Sequence, residues 1–379
     1  MLSELKWVFV IGLFAVLGTV VAALTPPHLN SSFHPRMVID SVKGQITLDD
    51  LDFTSEPGEL HSFAELGRFF DRQEQIIRIV SQDSVRLQSG GQEVNLQPRP
   101  KQIKDIPVLF WIQIVVGVAV FCIAGWVWSL RHRDLAGTFF FLAGFSVLVA
   151  ALPSAIYTSR ELALPKNLFV ILGSLNAVGG GLFGAAIVPL FLVHPLRVSY
   201  WKSIAMAQAL ISAVWVSLYV FRIAWANVNL CIVVQMIFMC LVIAYQLWIS
   251  RKNHHGRAAL TWLGMSMIFG GGAFVVFNTI PVLLKIRPLN QGYSFVFLLF
   301  IFLGIAAGLT QFRFFKWARW VFYFCFYTFS IVAFSLLYSG FILVFRLNTW
   351  PAVVLALFLI LILYMPLRDS LWQSLSRDD

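Results

Sequence analysis

Long runs of hydrophobic residues, separated by short polar segments, dominate the chain beyond residue 105. A helix needs about 20 apolar residues to cross the hydrocarbon core of a bilayer, and the sequence contains ten runs close to that length. They are Trp7–Leu24, Ile106–Leu130, Leu135–Tyr157, Leu168–Val193, Ser203–Phe221, Leu230–Ser250, Ala258–Leu284, Tyr293–Phe312, Trp320–Phe345 and Pro351–Leu367. The pattern predicts an all-α polytopic membrane protein with about ten transmembrane helices.

The first run, within residues 1–24, has two readings. Its small residues Val21, Ala22 and Ala23 are typical of a secretory cleavage site. The apolar run is longer, however, than the roughly 7–15 residues of a signal-peptide core. We therefore expect residues 1–24 to be an uncleaved anchor that forms the first transmembrane helix.

Residues 25–105 have a different pattern, typical of a small α+β domain. Ser62 and Glu65 form an S-x-x-E capping box, after which apolar residues recur at helical spacing. Alternating apolar residues on both sides of a Gly-Gly turn then predict a hairpin. Further strands are predicted at Met37–Val42 and Gln45–Leu51. The order of helix and hairpin resembles the C-terminal half of a PDZ domain.

Composition supports a membrane protein and argues against nucleic-acid binding. Hydrophobic residues make up 59% of the chain and charged residues 12%, against about 25% charged in soluble domains. The net charge is +10, but the basic residues lie mostly in short segments between apolar runs. Such residues indicate membrane topology rather than a nucleic-acid surface.

The distribution of Lys and Arg orients the predicted helices. With the N-terminus inside, the inner segments hold 13 basic residues and the short outer loops hold 6. This bias predicts that both termini are cytoplasmic. Residues 25–105 hold 9 basic and 12 acidic residues, and we expect this domain to be extracytoplasmic.

Acidic residues are absent over a long stretch, from Leu162 to Leu367. Carboxylates inside a membrane commonly mark proton or ion pathways, so their absence argues against a cation-coupled pump. The four cysteines lie in apolar runs and form no CxxC pair. The sequence therefore predicts no metal site and no cofactor.

Two triple-glycine runs, in the fourth and seventh predicted spans, are the clearest candidates for a ligand site. Glycine permits close helix packing, and in transporters it also accompanies broken helices at substrate sites. We consider tight packing the more common cause. If a small hydrophobic or peptide ligand enters the bundle, we expect it at Asn176, Gly179, Gly180, Gly181, Gly270, Gly271, Gly272, Asn278 and Pro281.

The C-terminal part, Trp262–Asp379, resembles the membrane sensor half of bacterial histidine kinases of the competence-pheromone receptor type. The resemblance is carried by the proline-bearing turn Asn278–Leu284, the basic and aromatic segment Gln311–Trp320, and Met365–Trp372 after the last span. His194–Arg197 is similar to an earlier inner loop of that family. The resemblance implies a sensor in a two-component system, with a homodimer and a cytoplasmic kinase or response partner.

Domain organisation and function follow from these patterns as expectations. Residues 106–367 would form a nine-helix bundle, and residues 368–379 a cytoplasmic signalling-helix stub. Output residues would be Pro366, Arg368, Leu371, Trp372 and Leu375, the leucines and Trp372 sharing one helical face. We expect no enzyme, because these 379 residues contain no kinase motifs. The alternatives are a solute or lipid transporter of the inner membrane and an assembly factor that binds periplasmic partners.

Overall fold

Long apolar helices form most of the protein. The computed structural model describes residues 2–89, 92–131, 134–252, 254–286, 288–309, 350, 351 and 353–359. Among these, seven helices are long and apolar enough to cross a membrane. Their ranges are Val108–Leu130, Leu135–Thr158, Lys166–Val193, Trp201–Val220, Val228–Ile249, Leu260–Leu283 and Gln291–Leu309. By length and composition they are those of a multi-pass membrane protein, in agreement with the predicted class.

These seven helices coincide with seven of the ten predicted spans. The first predicted span lies in α1, Leu2–Ala23, whose described apolar part Val10–Ala23 is shorter than the others. The ninth, Trp320–Phe345, lies outside the described residues, and the tenth is described only as far as residue 359. The figure of ten spans therefore stays a prediction.

The helices of the bundle follow one another with short connections. Helix α2, Phe63–Val80, belongs to the sheet region. The helices that follow it are α3 Val108–Leu130, α4 Leu135–Thr158, α5 Lys166–Val193, α6 Trp201–Val220, α7 Val228–Ile249, α8 His254–Phe274, α9 Ile280–Leu283 and α10 Gln291–Leu309. Because short connections reverse the direction of each helix, α4 ends at the same end of the bundle at which α5 begins. We call this the domain end.

The first glycine run lies at a close contact between α4 and α5. Helix α5 continues through Gly179, Gly180 and Gly181 without a break. A Cβ built on Gly179 would lie 2.7 Å from the Ala150 nitrogen and 2.8 Å from the Ser146 oxygen. Such distances are shorter than real side chains tolerate, so glycine is required for this approach.

The α-helical hydrogen-bond pattern of the seventh span breaks after its glycines rather than at them, although the helix continues from Leu260 to Leu283. A π-helical turn, Val275–Thr279, joins α8 to α9, in which Pro281 follows the first residue. Proline has no N–H and cannot bond the carbonyl of Phe277 four residues earlier. That carbonyl instead accepts a hydrogen bond from the Leu289 nitrogen at 3.0 Å. The break therefore has a local cause.

The N-terminal segment forms the predicted α+β region. Strands β2 Val38–Ser41, β3 Gly44–Thr47, β4 Val85–Ser89 and β5 Gln92–Leu96 form an antiparallel sheet in the order β3-β2-β4-β5. Two-residue strands β1 Pro27–His28 and β6 Arg99–Pro100 pair beside it. Helix α2 is Phe63–Val80.

The N-terminus of α2 follows the sequence signal with one difference. Ser62 Oγ accepts from the Glu65 nitrogen at 3.1 Å, as an N-cap does. The Glu65 carboxylate accepts from the backbone nitrogen of His61 at 2.9 Å, one residue before the cap. The two side chains together satisfy backbone donors that the first turn of the helix leaves free.

Helix α2 is shared between the sheet and the bundle. Its C-terminal half packs Ile76 and Val80 into the core of the sheet with Ile39. Its N-terminal half packs Phe69 against Phe169 of α5, with 5.1 Å between the ring centroids. The α+β region is therefore built onto the domain end of the bundle rather than tethered beside it.

Gly179→Ala should destabilise the protein, because the new Cβ meets the backbone of α4. Overpacking of this kind costs about 1–3 kcal/mol. The matched control is Gly272→Ala, where a Cβ meets nothing within 4 Å, and where alanine favours the helix by up to about 1 kcal/mol. Thermal unfolding of both variants in detergent checks this. Equal melting temperatures would contradict the close α4–α5 contact.

Candidate functional site

The segment between β3 and α2 covers the domain end of the bundle. We call residues 49–62 the docking loop. The Gly58 carbonyl accepts from Asn229 Nδ2 in α7 at 2.9 Å, and His61 Nε2 donates to the Val282 carbonyl in α9 at 3.0 Å. These hydrogen bonds attach one loop to two helices far apart in sequence.

Glu56, in the docking loop, is a buried acid. Glu56 is 5% exposed, and its Oε1 accepts a hydrogen bond from Asn278 Nδ2 at 3.4 Å. No ion pair joins it to a basic residue within the described part of the chain. Burial, and secondly the negative charge of Glu59, raise the pKa of Glu56 to about 8, against the lowering effect of the Asn278 hydrogen bond. At pH 7 most molecules therefore carry Glu56 as a neutral acid.

Asn278 is the residue of the bundle whose side chain contacts Glu56. It lies in the π-helical turn, is 1% exposed, and also donates to the Leu289 carbonyl at 3.2 Å. π-helical turns inside α-helices are frequent at functional sites. Here the turn directs a carboxamide of the bundle towards the docking loop.

Arg160, just beyond α4, also binds the docking loop. Its Nη1 donates to the carbonyl of Ser55 at 3.0 Å and to that of Tyr157 at 2.6 Å, and Nη2 donates to the Thr54 carbonyl. The guanidinium lies 5.0 Å from the ring centroid of Phe169. Burial lowers the pKa of Arg160 to about 10, so it remains charged at neutral pH.

An ion pair fixes the start of the docking loop to α2. Arg72 Nε donates to Asp52 Oδ1 at 2.7 Å and its Nη2 donates to Oδ2 at 2.6 Å. Asp52 is 1% exposed, so this two-point contact is well protected from water. The loop is thus held rigidly at its sheet end, while Glu56 and Arg160 hold it at the bundle.

Helix α2 also contacts the start of α5. The Glu74 carboxylate accepts from the backbone nitrogen of Lys166 at 3.1 Å, and Lys166 Nζ donates to Asp71 at 2.6 Å. The first N–H groups of a helix have no partner within it and attract negative charge. Displacement of α2 would therefore act directly on the end of α5.

A cavity of about 90 Å³ lies inside the bundle among α4, α5, α7, α8 and α10. Its wall is mostly apolar, with a few polar side chains. The polar residues are Ser146, Asn176, Gln235 and Gln291, and the larger apolar residues include Phe183, Met236, Met239, Met267, Phe274 and Phe295. An apolar wall with few polar groups is typical of small-molecule sites, but such sites usually have volumes of about 300–1,000 Å³, so this cavity would hold only a very small molecule without widening.

Hydrogen bonds connect this cavity to the docking loop. Gln291 Oε1, on the cavity wall, accepts from Tyr157 Oη at 3.0 Å and from Ser154 Oγ at 2.8 Å. The backbone carbonyl of Tyr157 in turn accepts from Arg160. One short chain of contacts therefore runs from the loop through the end of α4 to the cavity.

The structure brings together some of the sequence-predicted ligand residues and separates others. Those that line the cavity are Asn176, Gly179, Gly180 and Gly271. Gly181 and Gly270 lie at contacts between helices, and Gly272 borders open space. Asn278 contacts Glu56, and Pro281 lies in the helix break. Ligand binding at these residues stays a prediction.

The predicted output residues lie outside the described part of the chain. They are Pro366, Arg368, Leu371, Trp372 and Leu375.

Sequence reasoning missed Glu56, Arg160 and Gln291. The absence of acids between Leu162 and Leu367 predicted a bundle without carboxylate chemistry, yet Glu56 is supplied by a loop 222 positions before Asn278. Arg160 is one of the six basic residues of the short outer loops, and the sequence predicts for it only a role in orienting the helices. For Glu56 the one sequence signal is that Pro57 and Gly58 follow it, a pair typical of a turn. Arg160 and Gln291 have no comparable signal.

No family model matches the chain, and neither the characterised proteins nor the solved structures that were compared with it contain a significant match. The resemblance to histidine-kinase sensors accordingly remains a hypothesis.

Glu56→Gln should remove a pH dependence of stability. Neutral Glu56 contributes stability fully below its unfolded pKa, about 4.5, and this contribution is lost as pH rises towards its folded pKa of about 8. The slope for one such group is up to about 1.4 kcal/mol per pH unit. Between pH 5 and pH 8, roughly the interval that separates these pKa values, the wild type should lose melting temperature more steeply than the variant.

Glu93→Gln, on the exposed strand β5, is the control for this measurement. It should follow the wild-type profile. Parallel profiles for wild type and Glu56→Gln would show that Glu56 is ionised in the folded protein.

Proposed function

We propose that the chain is the sensing module of a bacterial signalling system, with ten transmembrane helices in the inner membrane and both termini in the cytoplasm. In this proposal residues 25–105 face outward and detect an external or membrane-borne ligand. The last helix passes the signal to a cytoplasmic kinase or response partner, with a second copy of the chain as its dimer partner.

The observation that carries this proposal is that Glu56, a residue of the docking loop, is buried against the end of the bundle. A carboxyl group at such a position has two states, neutral and docked or ionised and exposed, because an unpaired charge is unfavourable in a buried place. The loop contacts α7, α9 and Arg160, and Arg160 in turn bonds Tyr157 of α4. A ligand that prefers one loop state would therefore favour one arrangement of the helix ends.

The link from the loop to the cavity supports intramembrane sensing as well. Tyr157 bonds Gln291 in the cavity wall, and Arg160 bonds both Tyr157 and the docking loop. A small hydrophobic ligand in the cavity would act on the same loop through Gln291, Tyr157 and Arg160. The resemblance to competence-pheromone receptor kinases adds the expectation that the output passes through residues 366–375.

The cavity also favours a second candidate, a transporter of small apolar solutes or lipids. Its wall contains Gly180, where a Cβ would meet nothing within 4 Å. A transporter would carry a solute across vesicles, and Gly180→Leu would block that movement by filling the cavity. A sensor would bind the same solute without moving it.

The sensor proposal predicts that Glu56 controls contacts at the other end of the protein. A photo-crosslinking residue at Trp372 should recover a cytoplasmic partner from cells. Glu56→Gln, which keeps the loop docked, should change the yield of that product several-fold at pH 8, because the wild-type loop is then partly released.

Glu93→Gln again serves as the control and should leave the yield unchanged. An equal yield in all three proteins would contradict coupling between the loop and the last helix. Recovery of no partner, combined with solute flux that Gly180→Leu abolishes, would favour the transporter.

A further inference from the structure

A second, polar cleft lies at the domain end, between the β1–β6 pair and the segment after α4. Its volume is about 330 Å³. It is lined by His28, Asn30, Ser31, Ser32, Lys101, Asp105, Pro107, Ser159, Arg160 and Glu161. Its residues come from just after α1, just before α3 and just after α4, so the cleft lies near the ends of three apolar helices.

The two carboxylates of the cleft are hydrogen-bonded in different ways. Asp105 accepts from Arg99 Nη1 at 2.7 Å and from Nη2 at 2.8 Å. Glu161 accepts from His28 Nδ1 at 2.8 Å and from the Leu29 nitrogen at 2.9 Å. Asp105 therefore has a guanidinium as its counter-ion, whereas Glu161 is held by neutral backbone donors and an imidazole.

Lys101 is buried without such a partner. It is 9% exposed, and within the described part of the chain it makes neither an ion pair nor a side-chain hydrogen bond. Burial lowers the pKa of Lys101, and the charges of Glu161 and Asp105 oppose that lowering. Both acids line the cleft, which indicates that the Lys101 ammonium faces it. Most of the Lys101 side chain is thus buried, while its Nζ keeps access to the cleft, where an anion would compensate its charge.

Arg160 adds a second cation to the wall of the cleft. The hydrogen bonds of its guanidinium go to backbone carbonyls, at Ser55, Tyr157 and Thr54. These carbonyls satisfy donors on Nη1 and Nη2, leave the buried Nε without a partner among the described residues, and do not neutralise the charge. In the described residues Arg160 forms no ion pair. The cleft therefore has two cations without a direct ion pair in this part of the chain, against one carboxylate, Glu161, that has no guanidinium or ammonium partner there.

We propose that this cleft binds a phosphate group, with the Lys101 ammonium as its direct counter-ion. Lysine is a common phosphate ligand because its ammonium acts as a compact point charge. The hydroxyl groups of Ser31 and Ser32 are neutral donors on the same wall. The site is independent of the proposed sensing function, since it rests on charge and burial alone.

Two sources can supply this phosphate. Polar headgroups extend roughly 5–8 Å beyond each side of the hydrocarbon core, the depth expected for residues that flank helix ends. A phospholipid headgroup is therefore one source, and a soluble phosphate ester is the other.

The test uses the full chain in a phosphate-free maltoside detergent. Thermal unfolding is followed by tryptophan fluorescence with inorganic phosphate added, against chloride at equal ionic strength. In a second arm, phosphatidylglycerol is added, against a phosphate-free galactolipid. Near saturation we expect the melting temperature to rise by about 2–4 °C. Lys101→Met should lose this rise, whereas Lys104→Met, at an exposed neighbouring position, should keep it.

Each outcome decides the proposal. A Lys101-dependent rise with inorganic phosphate supports a soluble ligand, and one with phosphatidylglycerol alone supports a lipid headgroup. If Lys101→Met does not fold, Lys101→Gln replaces it. Binding of radiolabelled phosphate is then also measured by equilibrium dialysis, where the wild type and Lys104→Met should retain the label. No rise with either probe, or an equal rise in the Lys101 variant, overturns the proposal.

Discussion

The protonated state of Glu56 is the constraint on which the junction between sheet region and bundle depends. The carboxyl group is buried with a carboxamide, Asn278, as its described hydrogen-bond partner. A neutral acid tolerates that environment and an ionised one does not. Arg72 and Arg160 bind the first half of the docking loop, and Asn229 and Val282 bind its second half, so that Glu56 between them stays buried.

This constraint connects features that otherwise look unrelated. Asn278, in the π-helical turn before Pro281, contacts the loop. Tyr157 lies at the end of α4, and Arg160 follows just beyond it. Tyr157 bonds Gln291 on the wall of the cavity. An event at the loop and an event in the cavity therefore act on the same few side chains, which is the physical content of the proposed coupling between an outer domain and the membrane helices.

The features that the sequence could predict are those with local signals. Apolar runs located seven spans, and the cap at Ser62 with helical periodicity located α2. Periodicity could not predict that the apolar face of α2 has two different partners. Ile76 packs on the sheet, and Phe69 packs on the bundle. Glycine runs also pointed to the cavity, but only packing distinguishes Gly179, pressed against α4, from Gly180, which borders open space. Glu56 and Asn278 meet across the chain, so no local pattern could predict their contact.

The most direct measurement of the central claim is the protonation of Glu56 itself. Infrared difference spectra of the full chain in lipid, recorded across the pH range and compared with Glu56→Gln, report the carbonyl stretch of a protonated carboxylic acid. We predict that at pH 7 the wild type shows such a band, that the variant lacks it, and that the band disappears with a midpoint near the raised pKa of about 8. A wild-type spectrum at pH 7 without this band would contradict the account.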